Sequence, residues 1–73
     1  MPTVQVESEI SGIVCKVVAS PGQAVATEDT IVIVESMKME IPVAAPNSGK
    51  LVAIKVAEGD MVTEGQVIAT LET

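Results

Sequence analysis

The 73-residue sequence lacks histidine, arginine, phenylalanine, tryptophan and tyrosine, and it contains one cysteine, Cys15. Without imidazole and with a single thiol, the chain has no usual ligand set for zinc or iron and no base to activate a serine or cysteine nucleophile. We therefore predict no catalytic residue and no metal ligand. One cysteine forms no internal disulfide, and the apolar run Ile13-Val14-Cys15 predicts a buried structural thiol.

Basic residues are also scarce, because four lysines oppose ten acidic residues and give a formal net charge of −6. An acidic chain without aromatic residues or basic clusters matches neither nucleic acid nor an anionic membrane as a partner. No aliphatic run exceeds four residues, and no basic leader precedes an apolar stretch. Neither a signal peptide nor a membrane span is predicted, and a cytoplasmic location is expected.

Valine and isoleucine dominate the apolar residues, with 13 and 7 copies against two leucines. This β-branched bias predicts a fold made mostly of strands. Turn signals at residues 21–22, 46–49, 58–60 and 64–65 separate the apolar stretches. The predicted strands cover residues 4–7, 12–18, 30–35, 39–43, 50–56 and 67–71, with short segments at 24–25 and 61–62. Helix is limited to one or two turns.

The chain aligns with itself at a shift of 37 residues, which places residues 11–35 on residues 48–72. Two short antiparallel units, each too small to be stable alone, would pack face to face around one aliphatic core. The sequence therefore predicts one all-β domain over residues 1–73, a flattened barrel or sandwich with quasi-twofold symmetry. Residues 36–47 would link the halves, which places Lys38 near a hairpin turn. Six of the 25 aligned positions are identical: Ser11/Ser48, Gly12/Gly49, Gly22/Gly59, Val25/Val62, Ile31/Ile68 and Glu35/Glu72.

The residues at the predicted turn, Met37-Lys38-Met39, are unusual, because tight hairpins favour glycine, asparagine or aspartate. Two flexible thioethers around the one cation of this region suit a lysine displayed to a partner that packs on the methionines. The alternative is an ordinary solvated lysine, with Met37 and Met39 directed into the core. Spacing alone leaves both interpretations open.

Residues 34–42, Val-Glu-Ser-Met-Lys-Met-Glu-Ile-Pro, resemble the attachment sequence of biotin carboxyl carrier domains, whose signature is Met-Lys-Met after a small residue. Further matches to that family occur at residues 45–46, 48–49, 58–62 and 65–68, so the resemblance extends from about residue 6 to residue 71. It implies a barrel-sandwich of two four-stranded antiparallel sheets related by a quasi-twofold axis. The modified lysine would lie at the tip of the hairpin that joins the halves.

The same resemblance implies that Lys38 carries biotin, joined to its ε-amine by an amide bond that a biotin protein ligase forms. The biotinyl arm would carry carboxyl groups between a biotin carboxylase and a carboxyltransferase, and the chain itself would not be an enzyme. Glu35 and Glu40 would help to orient the ligase, or they belong to a solvated acidic face. Residues expected to be recognised by the ligase or the other partners are Met37, Met39, Ser36, Glu35 and Glu40.

Two alternatives share the same fold. A lipoyl carrier would be expected to show an acidic residue, lysine and a small residue in sequence, which Met37 and Met39 oppose, although acceptance of lipoate as well as biotin stays open. An unmodified structural or adaptor module would leave Met-Lys-Met without a purpose. An enzyme acting alone is disfavoured, since no pair of nucleophile and base stands out among the carboxylates, lysines and hydroxyls.

Overall fold

Eight β-strands and no helix form within residues 2–73, the part of the chain that the computed structural model describes. Each predicted strand is present, with bounds that differ from the prediction by two residues at most. The β-branched bias of the sequence therefore identified the strands correctly. The strands are β1 (Thr3–Glu7), β2 (Gly12–Val17), β3 (Ala24–Val25), β4 (Thr30–Ser36), β5 (Met39–Ala44), β6 (Gly49–Ile54), β7 (Met61–Val62) and β8 (Val67–Glu72).

The strands form two four-stranded antiparallel sheets, ordered β1-β8-β6-β3 and β5-β4-β2-β7, which confirms the expected architecture. A shift of 37 residues converts β2 into β6, β3 into β7 and β4 into β8, so one order maps onto the other. Irregularities follow the same rule, since Cys15 and Val52 are the unpaired extra residues of β2 and β6. The duplication is thus present in the strand register itself.

The repeat extends further than residues 11–35 and 48–72. Sequence alignment places residues 39–44 in a linker, but β5 pairs with β4 as β1 pairs with β8, so β5 is the counterpart of β1. Val6 and Val43, 37 residues apart, are both buried. With β5 matched to β1, the two copies of the repeat meet at the turn around Lys38. Its equivalent in the other half is the pair of chain ends, where the Thr73 N–H donates to the Pro2 carbonyl at 3.0 Å.

The core lies between the two sheets and is wholly aliphatic. Each half contributes one fully buried isoleucine from the repeat, Ile31 and Ile68, and Leu51 and Leu71 are also fully buried. Burying a side chain of this size contributes about 1.5–3 kcal/mol relative to leaving it exposed. Within residues 2–73, fifteen buried apolar residues form one cluster, to which strands of both sheets contribute.

Close backbone approach explains the glycines that begin β2 and β6. A Cβ atom on Gly12 would collide with the carbonyl oxygen of Glu35, and one on Gly49 would lie 2.6 Å from the carbonyl oxygen of Glu72. Glycine is the residue that permits such contact between neighbouring strands. The Gly12/Gly49 identity therefore follows from strand packing and carries no chemistry.

The repeated serines brace loops of the opposite half. Ser11 Oγ accepts a hydrogen bond from the Glu64 N–H at 3.0 Å, and Ser48 Oγ accepts one from the Thr27 N–H at 3.1 Å. Thr27 and Glu64 are themselves 37 residues apart. Each half therefore holds a turn of the other, which fixes the two repeats against each other beyond the shared core.

Glu28 occupies a left-handed backbone position at which the other half of the repeat has glycine. Its φ is 74°, whereas its counterpart Gly65 has a φ of 88°. The left-handed region costs a residue with a Cβ about 1–2 kcal/mol, and glycine avoids that cost. We expect Glu28→Gly to raise the free energy of unfolding by roughly 0.5–1 kcal/mol, measured by urea denaturation.

Glu28→Ala is the matched control, because it removes the same charge and keeps the Cβ. Its free energy of unfolding is expected to rise less than that of Glu28→Gly. Equal free energies of unfolding for the two variants would show that charge, and not the backbone conformation, sets the effect.

Candidate functional site

The hairpin between β4 and β5 has a two-residue loop, the shortest length that is common in β-hairpins. Ser36 pairs with Met39, which leaves Met37 and Lys38 as the two turn residues. Their φ angles are 52° and 65°, and a two-residue hairpin with both φ angles positive is a type I′ turn. The prediction that Lys38 lies at a hairpin turn is confirmed.

The side chains of this turn face solvent. Met37 is 92% exposed, Met39 is 62% exposed, and Lys38 is exposed between them. The alternative in which both methionines enter the core is therefore wrong, because the aliphatic core is closed without them. What the hairpin presents is one primary amine with a flexible thioether on each side.

All six site residues predicted from the sequence lie in this one hairpin. Glu35 pairs directly with Glu40, one step below the closing pair of Ser36 and Met39. Both glutamates are exposed and Ser36 is half-buried. A row of two carboxylates therefore lies beside the displayed amine on the outer face of the β5-β4-β2-β7 sheet.

The two turn residues are poor choices for stability. Each left-handed residue with a Cβ costs about 1–2 kcal/mol, and Asn-Gly is the sequence that a type I′ turn favours. Backbone strain of this kind persists at sites where the side chain has a role. Met37 and Lys38 thus occupy a conformation that costs stability, which points to a requirement for the side chains themselves.

Cys15 lies on the same sheet and is half-buried, so the prediction of a buried thiol is wrong in degree. The bulge between Val14 and Lys16 is the reason, because it removes Cys15 from the regular alternation of inward and outward residues. Burial raises the pKa of the Cys15 thiol, and the carboxylates of Glu40 and Glu35 raise the pKa further. A raised pKa favours the neutral thiol over the thiolate, which is the reactive nucleophile.

Two apolar residues that the sequence patterns did not single out lie next to the hairpin. Ile13 in β2 pairs with Glu35 on one side and with Met61 in β7 on the other. Ile13 is 47% exposed and Met61 is 80% exposed. The repeat held a signal for them, because their counterparts in the other half are Lys50 and Ala24.

Elsewhere the surface has a depression of about 670 Å³. Ala44 and Pro46 line it at the end of β5 opposite to Lys38, together with the acidic side chains of Glu7, Glu9 and Glu64. Within residues 2–73, no group of three or more potential metal-ligating side chains is close enough to hold an ion. The same residues contain no helix with the length and apolarity needed to cross a membrane.

The fold and the turn together define a carrier domain, a rigid double-sheet scaffold that presents one lysine at the tip of a hairpin. The family model described as "Biotin-requiring enzyme" matches residues 1–71. The chain therefore belongs to the biotin/lipoyl attachment family.

Two relatives have nearly the same length as this chain. The biotinylated protein TB7.3 homolog of Mycobacterium leprae is 41% identical over 66 residues, which cover 90% of this chain and 93% of the relative. The biotin/lipoyl attachment protein of Bacillus subtilis is 39% identical over 66 residues, which cover 90% of each chain.

Other relatives are far longer. Urea amidolyase of Saccharomyces cerevisiae is 41% identical over 93% of this chain, but the chain spans only 4% of that protein. Among solved structures, Kluyveromyces lactis urea carboxylase superimposes with a TM-score of 0.93 at 36% identity, over 99% of this chain and 6% of that protein. The chain thus corresponds to a small part of these enzymes.

The strain in the turn generates one prediction. Met37→Asn should raise the free energy of unfolding by up to about 1 kcal/mol, because asparagine tolerates a positive φ. Met39→Asn, which lies in β5 outside the turn, is the control and should give no gain. Chemical denaturation measures both, and a gain at Met39 equal to that at Met37 would contradict the backbone explanation.

The environment of Cys15 generates a second prediction, about the reactivity of its thiol. Because its pKa is raised, the thiolate fraction at pH 7 is smaller than in an unfolded cysteine peptide, so alkylation by iodoacetamide should be slower in the folded protein. In the folded protein, the alkylation rate should continue to rise at pH values above the pKa of the peptide thiol. Replacing Glu35 and Glu40 by glutamine should speed alkylation at pH 8, whereas Glu64→Gln should not; no difference between these variants would remove the carboxylates as a cause.

Proposed function

We propose that the chain is a biotin carboxyl carrier in which Lys38 Nζ is the point of attachment. The observation that carries the proposal is the exposed lysine on a strained type I′ turn, flanked by two exposed methionines. The family of the chain and the names of its relatives support biotin as the attached group.

The chemistry of Lys38 fits this group. An exposed ε-amine on a four-carbon stem can enter a partner's active site without unfolding the hairpin. In the proposed step, the amine attacks the carboxyl carbon of biotin that a ligase has activated as its adenylate. An amide bond forms, AMP leaves, and the proton lost by the amine passes to the ligase or to solvent.

The chain's own residues contribute position and reach. The closing pair Ser36–Met39 and the pair Glu35–Glu40 anchor the turn in the sheet, so only the modified side chain needs to move. Biotin, once attached, supplies the ureido nitrogen on which a carboxyl group is carried. Tethering it to a small rigid domain keeps its local concentration high at the sites it visits. The chain acts as a carrier, without catalysis of its own.

The partners we propose are a biotin protein ligase, a biotin carboxylase and a carboxyltransferase. Support for the last two comes from the longer relatives, which include a biotin-dependent acyl-coenzyme A carboxylase subunit of Mycobacterium leprae and urea amidolyase. In these proteins the segment that matches this chain is 11% and 4% of the whole. The acceptor substrate would be chosen by the carboxyltransferase and not by this domain.

Lipoate is the second candidate for the attached group. The name of the Bacillus subtilis relative includes both groups, and that relative matches over 90% of its length. Met37 and Met39 favour biotin. The mass of the protein purified from cells with intact biotin and lipoate ligases separates a biotinyl, a lipoyl and a zero increment.

The attachment site is tested by labelling. Wild type incubated with a biotin protein ligase, ATP and biotin should gain one biotinyl group, and Lys38→Arg, which keeps the positive charge, should gain none. Lys55→Arg is the control and should be labelled like wild type. Intact mass and peptide mapping give the readout, and biotin on Lys16, Lys50 or Lys55 would overturn the assignment.

A further inference from the structure

β1 and β5 are edge strands, and each of them pairs with another strand on one side only. Unpaired backbone groups at a sheet edge are a template for a further strand, and many proteins block such an edge with proline or charge. The two edges can be compared position by position, because β1 and β5 are counterparts in the repeat. The shift of 37 residues places Gln5 on Pro42.

The backbone of β1 presents every second residue to its open side, the side away from β8. The Thr73 N–H donates to the Pro2 carbonyl, which makes these two residues a hydrogen-bonded pair. Bonded and non-bonded pairs alternate along an antiparallel ladder. The next residue, Thr3, and then Gln5 therefore direct their N–H and C=O groups to the open side.

Glu7 continues this series at the far end of β1. The Ser8 N–H donates to the Gln66 carbonyl at 2.9 Å, and the Ser8 carbonyl accepts from the Gly65 N–H at 2.7 Å. Because Ser8 bonds back to its own sheet, Glu7 directs its backbone groups to the open side. Within residues 2–73, no backbone hydrogen bond from another element reaches β1 on that side.

The same side of β5 is blocked. Its hairpin closes with the pair Ser36–Met39, so the alternation directs the backbone of Glu40 and Pro42 to the open side. Pro42 has no N–H, and its ring occupies the place of the donor, which prevents regular pairing across that position. The edge beside the attachment turn is therefore closed to a further strand, whereas β1 with Gln5 is open.

The sequence of β1 is self-complementary when two copies pair antiparallel with Gln5 at the centre. Two neutral amides then meet at the two-fold axis, and Thr3 lies opposite Glu7 of the second copy, so no carboxylate lies opposite another. On the inner face, Val4 lies opposite Val6 of the second copy. Val4 packs on the core but is only half-buried in the single chain, so the added strand covers apolar surface that β1 leaves exposed.

We propose that two copies of the chain associate through β1, which joins their β1-β8-β6-β3 sheets into one continuous sheet. In this mode of strand addition, backbone hydrogen bonds supply the affinity and the facing side chains supply the specificity. The contact lies in the sheet that does not contain the Lys38 hairpin, so both lysines stay exposed. Each copy has a net charge of −6, and the association therefore strengthens as added salt screens their repulsion.

Analytical ultracentrifugation tests the association at protein concentrations up to about 1 mM. Wild type should show a reversible monomer–dimer equilibrium that is stronger in about 0.5 M than in about 0.05 M NaCl. Gln5→Pro copies the blocked edge of β5 and should raise the dimer Kd about tenfold or more, whereas Gln5→Ala keeps the N–H and should change it little. Urea denaturation verifies that each variant is folded.

A charge variant tests the register. Gln5→Glu places two carboxylates opposite each other at the two-fold axis and should also raise the dimer Kd about tenfold or more. Gln23→Glu is the matched control, because it adds the same charge in the loop before β3, at the opposite edge of the same sheet. Its dimer Kd should stay within about threefold of wild type.

Amide hydrogen exchange locates the contact without any variant. The N–H groups of Thr3, Gln5 and Glu7 should become protected as protein concentration rises, while that of Glu40 in β5 should not. A chain that stays monomeric, a Gln5→Pro variant that associates like wild type, or protection at Glu40 in place of Gln5 would each overturn the proposal. Because no arm of the test requires modification of Lys38, its result is independent of the proposed function.

Discussion

The shared aliphatic core is the constraint on which the rest of the structure depends. Small domains bury a low fraction of their surface, and this chain has no aromatic side chain with which to compensate. Strands of two to seven residues cannot form a stable sheet alone, so each half must bury its inner face against the other. The identical isoleucines at 31 and 68 occupy equivalent places in that core because the two halves are copies of one repeat. The hydrogen bonds of Ser11 and Ser48 then lock each half to a turn of its neighbour.

A scaffold fixed in this way can hold a turn that local preference opposes. Met37 and Lys38 adopt left-handed backbone conformations although neither is glycine or asparagine. In an isolated hairpin such residues would favour other turns, whereas here the register of β4 and β5 is set by the core side chains Val34 and Val43. Stability generated in the core is thus used to display an amine on a tip. Holding an amine in this position requires no histidine, and the sequence contains none.

Much of the fold could be read from the sequence because its signals are local. β-branched alternation identified the strands, matched glycines identified the duplication, and their combination placed Lys38 at a turn. Sequence could not reveal what depends on register. The bulge at Cys15 shifts that residue out of the buried position that its apolar neighbours indicate. The cross-strand neighbours Ile13 and Met61 are 48 residues apart in the chain and become a patch only through pairing of β2 with β7. The correspondence of β1 with β5 was obscured because a single identity, Val6 with Val43, supports it.

The duplication also explains how one end of the molecule can be specialised without loss of the fold. Two equivalent positions follow from the symmetry: the Lys38 turn joins β4 to β5, and the chain ends near Pro2 and Thr73 occupy the corresponding place in the other sheet. Because the core needs only the inward residues of each strand, outward residues at the two places are free to differ. One place carries Glu35, Ile13 and Met61 around an amine, and the other carries Glu72, Lys50 and Ala24 beside the termini. One aliphatic core therefore supports two surfaces of different chemistry at equivalent places in the two sheets.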